Sequence, residues 1–325
     1  MQNHTFIHSS HPNIRYFGRW NQEDGCCHSY WGGAYFKVNF TGDILKLEFS
    51  GSCDIVVHVD GGSDRTYRGA KGTVDVSSLI DRTRTLHTLL VNSRFDCQEM
   101  QFVGMVLSPE GTTAMPQTGP ILEFIGDSIT SGDCTENGAC DSYAWLTASG
   151  LGYEHTQISF CGIAVTPGYG YLEDLGNPSP ITQYACLQPP NYQTDALRGQ
   201  LTAWDFSRYT PKAVIINIGT NDCNSGADAP TFQCSYRRLL ELVREKNPAA
   251  PIFALIPFGG YFREEITQVV HRFGETQGNI YLVDTRSWLE PPDYADGIHP
   301  TNEGQSKAAQ KLCQILSPIL GPGTP

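Results

Sequence analysis

No apolar run in this 325-residue chain reaches the roughly 20 residues that a membrane helix needs. That excludes a helical membrane span. The opening Met1-Gln2-Asn3-His4 lacks a charged-plus-apolar leader. The protein is therefore expected either to be cytosolic or to have lost its leader. Among eleven cysteines no Cys-x-x-Cys spacing occurs, so the cysteines do not point to a metal site. Basic residues are also scarce, 22 against 34 acidic, for a net charge of −12. The first 115 residues carry −2 of this and the remainder −10. Such a surface repels phosphate backbones and anionic membranes, so nucleic acid and membrane are excluded as partners. A neutral polysaccharide or a small neutral ester is compatible with it.

Eleven cysteines are many for a cytosolic enzyme and point to secretion. Cys134 and Cys140 flank a short polar loop, and Cys223 and Cys234 bracket another. Both pairs are expected to be local bridges. Cys161 and Cys313 lie in apolar surroundings and suit buried thiols. Two sequons, Asn3-His4-Thr5 and Asn39-Phe40-Thr41, add to the secreted reading.

Residues 1–115 have no helical period. Alternating runs over 34–40, 44–49, 54–60, 85–92 and 100–107, with turn residues between them, predict an all-β sandwich or barrel. The Thr/Pro/Gly-rich stretch 112–120 reads as a linker. The domains are therefore expected at 1–115 and 116–325. The aromatic segments 15–20 and 30–34 serve as sandwich core or, alternatively, as a sugar-stacking platform.

The second part alternates strand and helix, which implies a parallel sheet covered on both faces. Helices are expected over 143–151, 196–204, 229–246, 263–276 and 303–316. Strands are expected at 121–126, 158–162, 213–218, 252–257 and 280–284. The Pro/Gly/Tyr-rich excursion 166–194 is long enough to be functional.

Ile121-Leu122-Glu123-Phe124-Ile125 is a buried-strand pattern that stops at Gly126-Asp127-Ser128. Such a turn throws the next hydroxyl out of the carboxyl end of a sheet, where open α/β sheets put their chemistry. Ser128 is the candidate nucleophile. A serine needs a base, and the base an orienting acid. Asp296-Gly297-Ile298-His299-Pro300 supplies both: Asp296 can turn back onto Nδ1 of His299 and leave Nε2 for Ser128. Two more strands end in glycine, at Gly162 and at Gly219-Thr220-Asn221-Asp222. The backbone N–H groups of Ser128 and Gly162 and the amide of Asn221 could face a developing oxyanion. Trp288 either lines the acyl pocket or packs. Asp127 and Asp222 are read as loop-bonding carboxylates. His58, His87, His155 and His271 have no partner motif.

These blocks, in the order Ser, Gly, Asn, His, resemble the SGNH hydrolases of the GDSL esterase superfamily over residues 120–320. A sandwich with an Arg-Tyr-Phe-Gly-Arg-Trp opening before them is similar to carbohydrate esterase family 2. The resemblance implies a jelly-roll-like β-sandwich followed by a three-layer α/β/α domain. It also implies ester hydrolysis without metal or organic cofactor, and acetylated plant polysaccharide or oligosaccharide as partner. The reading is a secreted, monomeric O-deacetylase acting on xylan or glucomannan through Ser128, His299 and Asp296. The alternatives are an esterase, lipase or thioesterase for other short acyl groups, and a polysaccharide-binding protein with a vestigial hydrolase domain.

Overall fold

The computed structural model describes residues 4–96, 98–189 and 202–323, and the chain divides between Thr118 and Gly119 into two compact units. Asn3 of the first sequon and residues 196–201 of the helix expected over 196–204 lie outside the described residues.

The first unit is an antiparallel sheet of ten strands. They are β1 (Thr5–His8), β2 (Arg15–Phe17), β3 (Trp20–Glu23), β4 (Cys26–Ser29), β5 (Tyr35–Phe40), β6 (Leu45–Val59), β7 (Arg65–Asp75), β8 (His87–Ser93), β9 (Met100–Leu107) and β10 (Thr113–Ala114). The long β6 organises them. Its first half pairs with β9 and its second half with β8, while β7 accompanies both halves. The ladder with β7 slips between Phe49 and Ile55, where β6 changes partner. A slip there bends the strand and lets one sheet wrap round one core.

The period-2 pattern sets what enters that core. Leu45, Leu47, Phe49, Cys53, Ile55, Val57 and Val59 all point inward along β6. Phe36 stacks on Phe102 with centroids 4.1 Å apart, and Phe49 packs on the same ring at 5.8 Å. Trp20 belongs to this core and lies 4.9 Å from Tyr16. Phe17, Tyr30 and Trp31 are buried as well, so these aromatics pack rather than offer open faces for stacking. Part of the expected linker is also strand, because Thr113 and Ala114 pair with Phe40 and Asn39.

The second unit holds a five-stranded parallel sheet in the order β12-β11-β13-β14-β15. In chain order its elements are β11 (Ile121–Gly126), α1 (Ser128–Ser131), α2 (Tyr143–Leu151), β12 (Glu154–Ser159), α3 (Pro180–Gln183), β13 (Ala213–Asn217), α4 (Thr220–Asn224), α5 (Ala229–Lys246), β14 (Ile252–Leu255), α6 (Arg263–Gln277), β15 (Ile280–Val283) and α7 (Asn302–Leu320). Leu122 and Phe124 face one side, where Ala144 and Ala148 of α2 and Leu312 and Leu316 of α7 cover them. Glu123 faces the other side. There Tyr184 and Tyr209 donate to its carboxylate, and Asn247, at the end of α5, donates to Tyr184. A buried carboxylate needs such donors. Among the described residues no helix is long and apolar enough to cross a membrane.

The two expected disulfides are not formed. Cys134, Cys223 and Cys234 are exposed free thiols, whereas Cys140 is buried in the turn before α2. Among the described residues the cysteines form no bridge.

Removing the ring that three strands share should test the sandwich core. Phe102→Ala is expected to cost about 3–5 kcal/mol. The cost should appear as a lowered urea midpoint at unchanged slope. A loss below about 1 kcal/mol would mean that the core collapses onto the gap.

Candidate active site

In this strand order the chain leaves β11 for β12 on one side and returns past it to β13 on the other. The crevice at such a switch point, beyond the carboxyl ends of the strands, is where this topology binds ligands. β11 reaches it through a very tight turn. A Cβ on Gly126 would lie 2.1 Å from Thr130 Oγ1 and 2.8 Å from the Asn217 carbonyl, so only glycine fits. Asp127 then caps α1 by accepting the Ile129 N–H at 3.1 Å. The turn fixes Ser128 as the first residue of α1, with 6% of its surface exposed.

The partner comes from the loop between β15 and α7. Tyr294 bridges Pro300, and Ala295 N–H donates to the His299 carbonyl at 2.8 Å, closing a small loop around Asp296. Gly297 makes the turn at φ +88°. Within it Asp296 Oδ1 accepts the backbone N–H groups of Ile298 (2.9 Å) and His299 (2.8 Å). Oδ2 lies 2.7 Å from His299 Nδ1. With Nδ1–H given to the carboxylate, Nε2 is the acceptor, and it lies 2.8 Å from Ser128 Oγ. The expected Ser–His–Asp arrangement is thus assembled in one line.

The remaining donors stand at neighbouring strand ends. Gly162, after β12, takes φ +81°, and a side chain there would point at Tyr171. Asn221, in α4 after β13, donates from Nδ2 to the Ile163 carbonyl at 2.8 Å. That bond orients the amide and leaves its second N–H to give. Asp222 accepts the backbone N–H groups of Val165 and Thr166 at 2.9 and 2.8 Å, pinning the start of the excursion. Asp127 and Asp222 bond their neighbouring loops, as expected. Trp288 is buried in the α2–α7 core, 6.1 Å from Phe258, and packs.

Burial decides the charge of the carboxylates. Desolvation pushes Asp127 up to about 7 and is only partly offset by the Ile129 N–H and the nearby His299. It raises Asp222 as well. Partial burial also pushes Asp296 upward, but the hydrogen bonds from His299 and Ile298 outweigh it and hold Asp296 at about 2.

Three residues here carry no sequence signal of their own. Gln305, fully buried on α7, accepts the Tyr143 N–H at 2.8 Å and donates to the Ile129 carbonyl at 3.1 Å. It thereby ties the helix that follows His299 to the helix that begins with Ser128. Tyr171, beside Gly162, is 52% exposed. Asp133 places Oδ2 3.8 Å from His299 Nε2.

A hydroxyl, an imidazole and an acid in one hydrogen-bonded line, with an amide alongside, is the equipment of a serine-dependent acyl hydrolase. Residues 124–307, more than half of the chain, match the GDSL-like Lipase/Acylhydrolase family, and the chain belongs to that family. It is 27% identical over 95% of its length to cellulase/esterase CelE of Acetivibrio thermocellus, of which it spans 40%. It is 23% identical over 98% of its length to an acetylxylan esterase/glucomannan deacetylase of Cellvibrio japonicus, covering 91% of that protein. A solved family two carbohydrate esterase from Clostridium thermocellum, in complex with cellohexaose, superposes with a TM-score of 0.80 at 26% identity, over 95% of this chain and 99% of that one.

Gln305→Ala should leave the Tyr143 N–H buried without its partner, at about 1–3 kcal/mol, and should take from the Ile129 carbonyl one of its two donors, the Gly132 N–H remaining at 3.4 Å. A displacement of His299 by about 1 Å would lower kcat by up to about 10²-fold. Thermal melts and aryl-acetate kinetics would check this together. A variant that loses stability but keeps kcat would show that the tie does not position the site.

Proposed function

We propose that this chain is a carbohydrate O-acetylesterase that removes acetyl groups from plant polysaccharides such as xylan or glucomannan. The observation that carries the reading is the continuous line from Ser128 Oγ through His299 to Asp296. His299 takes the hydroxyl proton as Ser128 attacks the acetyl carbonyl. Asp296 holds the imidazole in the tautomer that can accept that proton and stabilises the imidazolium that follows. The N–H groups of Ser128 and Gly162 and the free N–H of Asn221 face the oxyanion. His299 returns its proton to the departing sugar oxygen, and an acetyl-Ser128 ester remains. Water, activated by the same imidazole, releases acetate and restores the hydroxyl. The relatives' activities support acetylated polysaccharide as the substrate. Tyr171 supports it as well, because it offers an open aromatic face beside Gly162 on which a sugar ring can stack.

Acetate release from acetylated xylan, acetylated glucomannan and an aryl acetate tests the reading. Turnover of the aryl acetate alone would favour a general short-chain esterase. Ser128→Ala and His299→Ala are each expected to abolish release while the fold persists. Asn221→Ala should lower kcat by about 10²–10³ with little change in KM. Asp296→Asn should lower it by at least about 10². Loss of less than tenfold would demote Asp296 to a loop residue.

The profile of kcat/KM should fall as pH is lowered, because a protonated His299 cannot accept the serine proton. Asp296, held at about 2, stays ionised throughout that range. Asp127, pushed up to about 7 by burial, is a second group to which an acid limb could belong. Asp127→Asn keeps an oxygen for the Ile129 N–H, so the acid limb should survive in that variant. Its disappearance would assign the limb to Asp127.

A further inference from the structure

Beside the Ser128–His299 pair stand two side chains, Asp133 and Cys134, that acyl transfer does not use. α1 is capped by Gly132, and the chain turns so that Asp133 N–H donates to the Ser128 carbonyl at 3.0 Å. Asp133 Oδ1 accepts the Cys134 N–H at 2.9 Å, which leaves Oδ2 facing His299 Nε2 at 3.8 Å. Cys134 is an exposed free thiol in the left-handed region, at φ +63°. One ligand atom from each of Asp133, Cys134 and His299 lies within 4.8 Å of the other two.

A thiolate, an imidazole nitrogen and a carboxylate oxygen form a donor set that zinc favours. Calcium and magnesium prefer all-oxygen shells. Bonds of about 2.0–2.3 Å to a tetrahedral ion put its ligands roughly 3.3–3.8 Å apart. Asp133 and His299 already stand at that separation. An exposed thiol at the end of a rotatable bond can close the remaining ~1 Å. The outer support is also in place. Metal-bound histidines donate their other ring N–H to a carboxylate, and His299 Nδ1 already faces Asp296 at 2.7 Å. The arrangement that makes Nε2 a base for Ser128 therefore also makes it a metal ligand. The fourth position is open to water or to Ser128 Oγ.

We propose that Asp133, Cys134 and His299 bind a zinc ion reversibly, and that zinc so bound switches off the esterase by occupying the lone pair that Ser128 needs. The inhibitory half rests on the esterase reading, whereas the binding half does not.

The full chain, treated with EDTA and desalted, would be titrated with ZnCl2 by equilibrium dialysis. Cobalt(II) as a second probe would report thiolate ligation by its charge-transfer absorption. Wild type should bind zinc at this site and lose aryl-acetate turnover in step with occupancy. Cys134→Ser and Asp133→Asn should weaken this binding by at least about 100-fold, since even supporting residues are worth about 10–100-fold. Cys134→Ser should also keep metal-free turnover and lose the cobalt–thiolate band. Ser128→Ala, inactive on the proposed mechanism, should still bind zinc, and Cys234→Ser should bind and be inhibited like wild type. Equal binding and equal inhibition in wild type and Cys134→Ser would overturn the site. If wild type proves inactive on every ester, the dialysis and cobalt arms still decide the site, and only the esterase reading fails.

Discussion

Ser128 and His299 stand 171 residues apart in the chain, and the site exists only because α7 is held against α1 and α2. The buried amide of Gln305 supplies that constraint. It gives its proton to Ile129 of α1 and accepts one from Tyr143 of α2. Asn302 adds a second tie at the surface, donating to Asp141 at 3.0 Å. A buried amide satisfied on both sides admits one register, because a slip would leave polar groups unpaired. The apolar contacts of α2 and α7 over Leu122 and Phe124 supply attraction, and Gln305 decides where it stops.

Four carboxylates stand around Ser128 and His299, and each has a separate task because its surroundings differ. Asp127 and Asp222 are buried: Asp127 accepts the Ile129 N–H with Oδ1 and fixes the turn at Ser128, and Asp222 accepts the Val165 and Thr166 N–H groups with its two oxygens and fixes the loop after Gly162. Asp296 is half exposed but receives three hydrogen bonds, so it stays charged and steadies the imidazole. Asp133 faces Nε2 and makes the pocket more negative. A neutral acetyl ester tolerates that field better than an anionic acyl group would.

Much of this was legible in the residues. The helices Tyr143–Leu151 and Ala229–Lys246 follow their expected bounds, and β11 stops where Gly126 demands it. The Asp296–His299 bond follows from spacing, since a three-residue offset across a glycine turn brings a carboxylate to its own neighbour. β12 was harder. It begins at Glu154 and reads Glu-His-Thr-Gln-Ile-Ser, yet every residue is buried. Hydropathy fails on such a strand, because its burial is supported by bonds such as Gln157 to Ser159 and Ser131 to Ser159. The last helix runs past Pro318 to Leu320, where a proline so near the end removes only one helical bond. Gln305, Tyr171 and Asp133 had no motif to mark them. Their meaning comes from neighbours far away in the chain.

The central claim is that Ser128 carries the acyl group between two half-reactions. The most direct measurement mixes the protein with an aryl acetate, quenches in acid within the first turnovers, and maps the peptides by mass spectrometry. The account predicts an added acetyl group on the peptide containing Ser128, enriched in Asp296→Asn if deacylation is the slower step there. An acetyl group found only on another residue, or ester hydrolysis with no acylated peptide and no burst of released phenol, would contradict it.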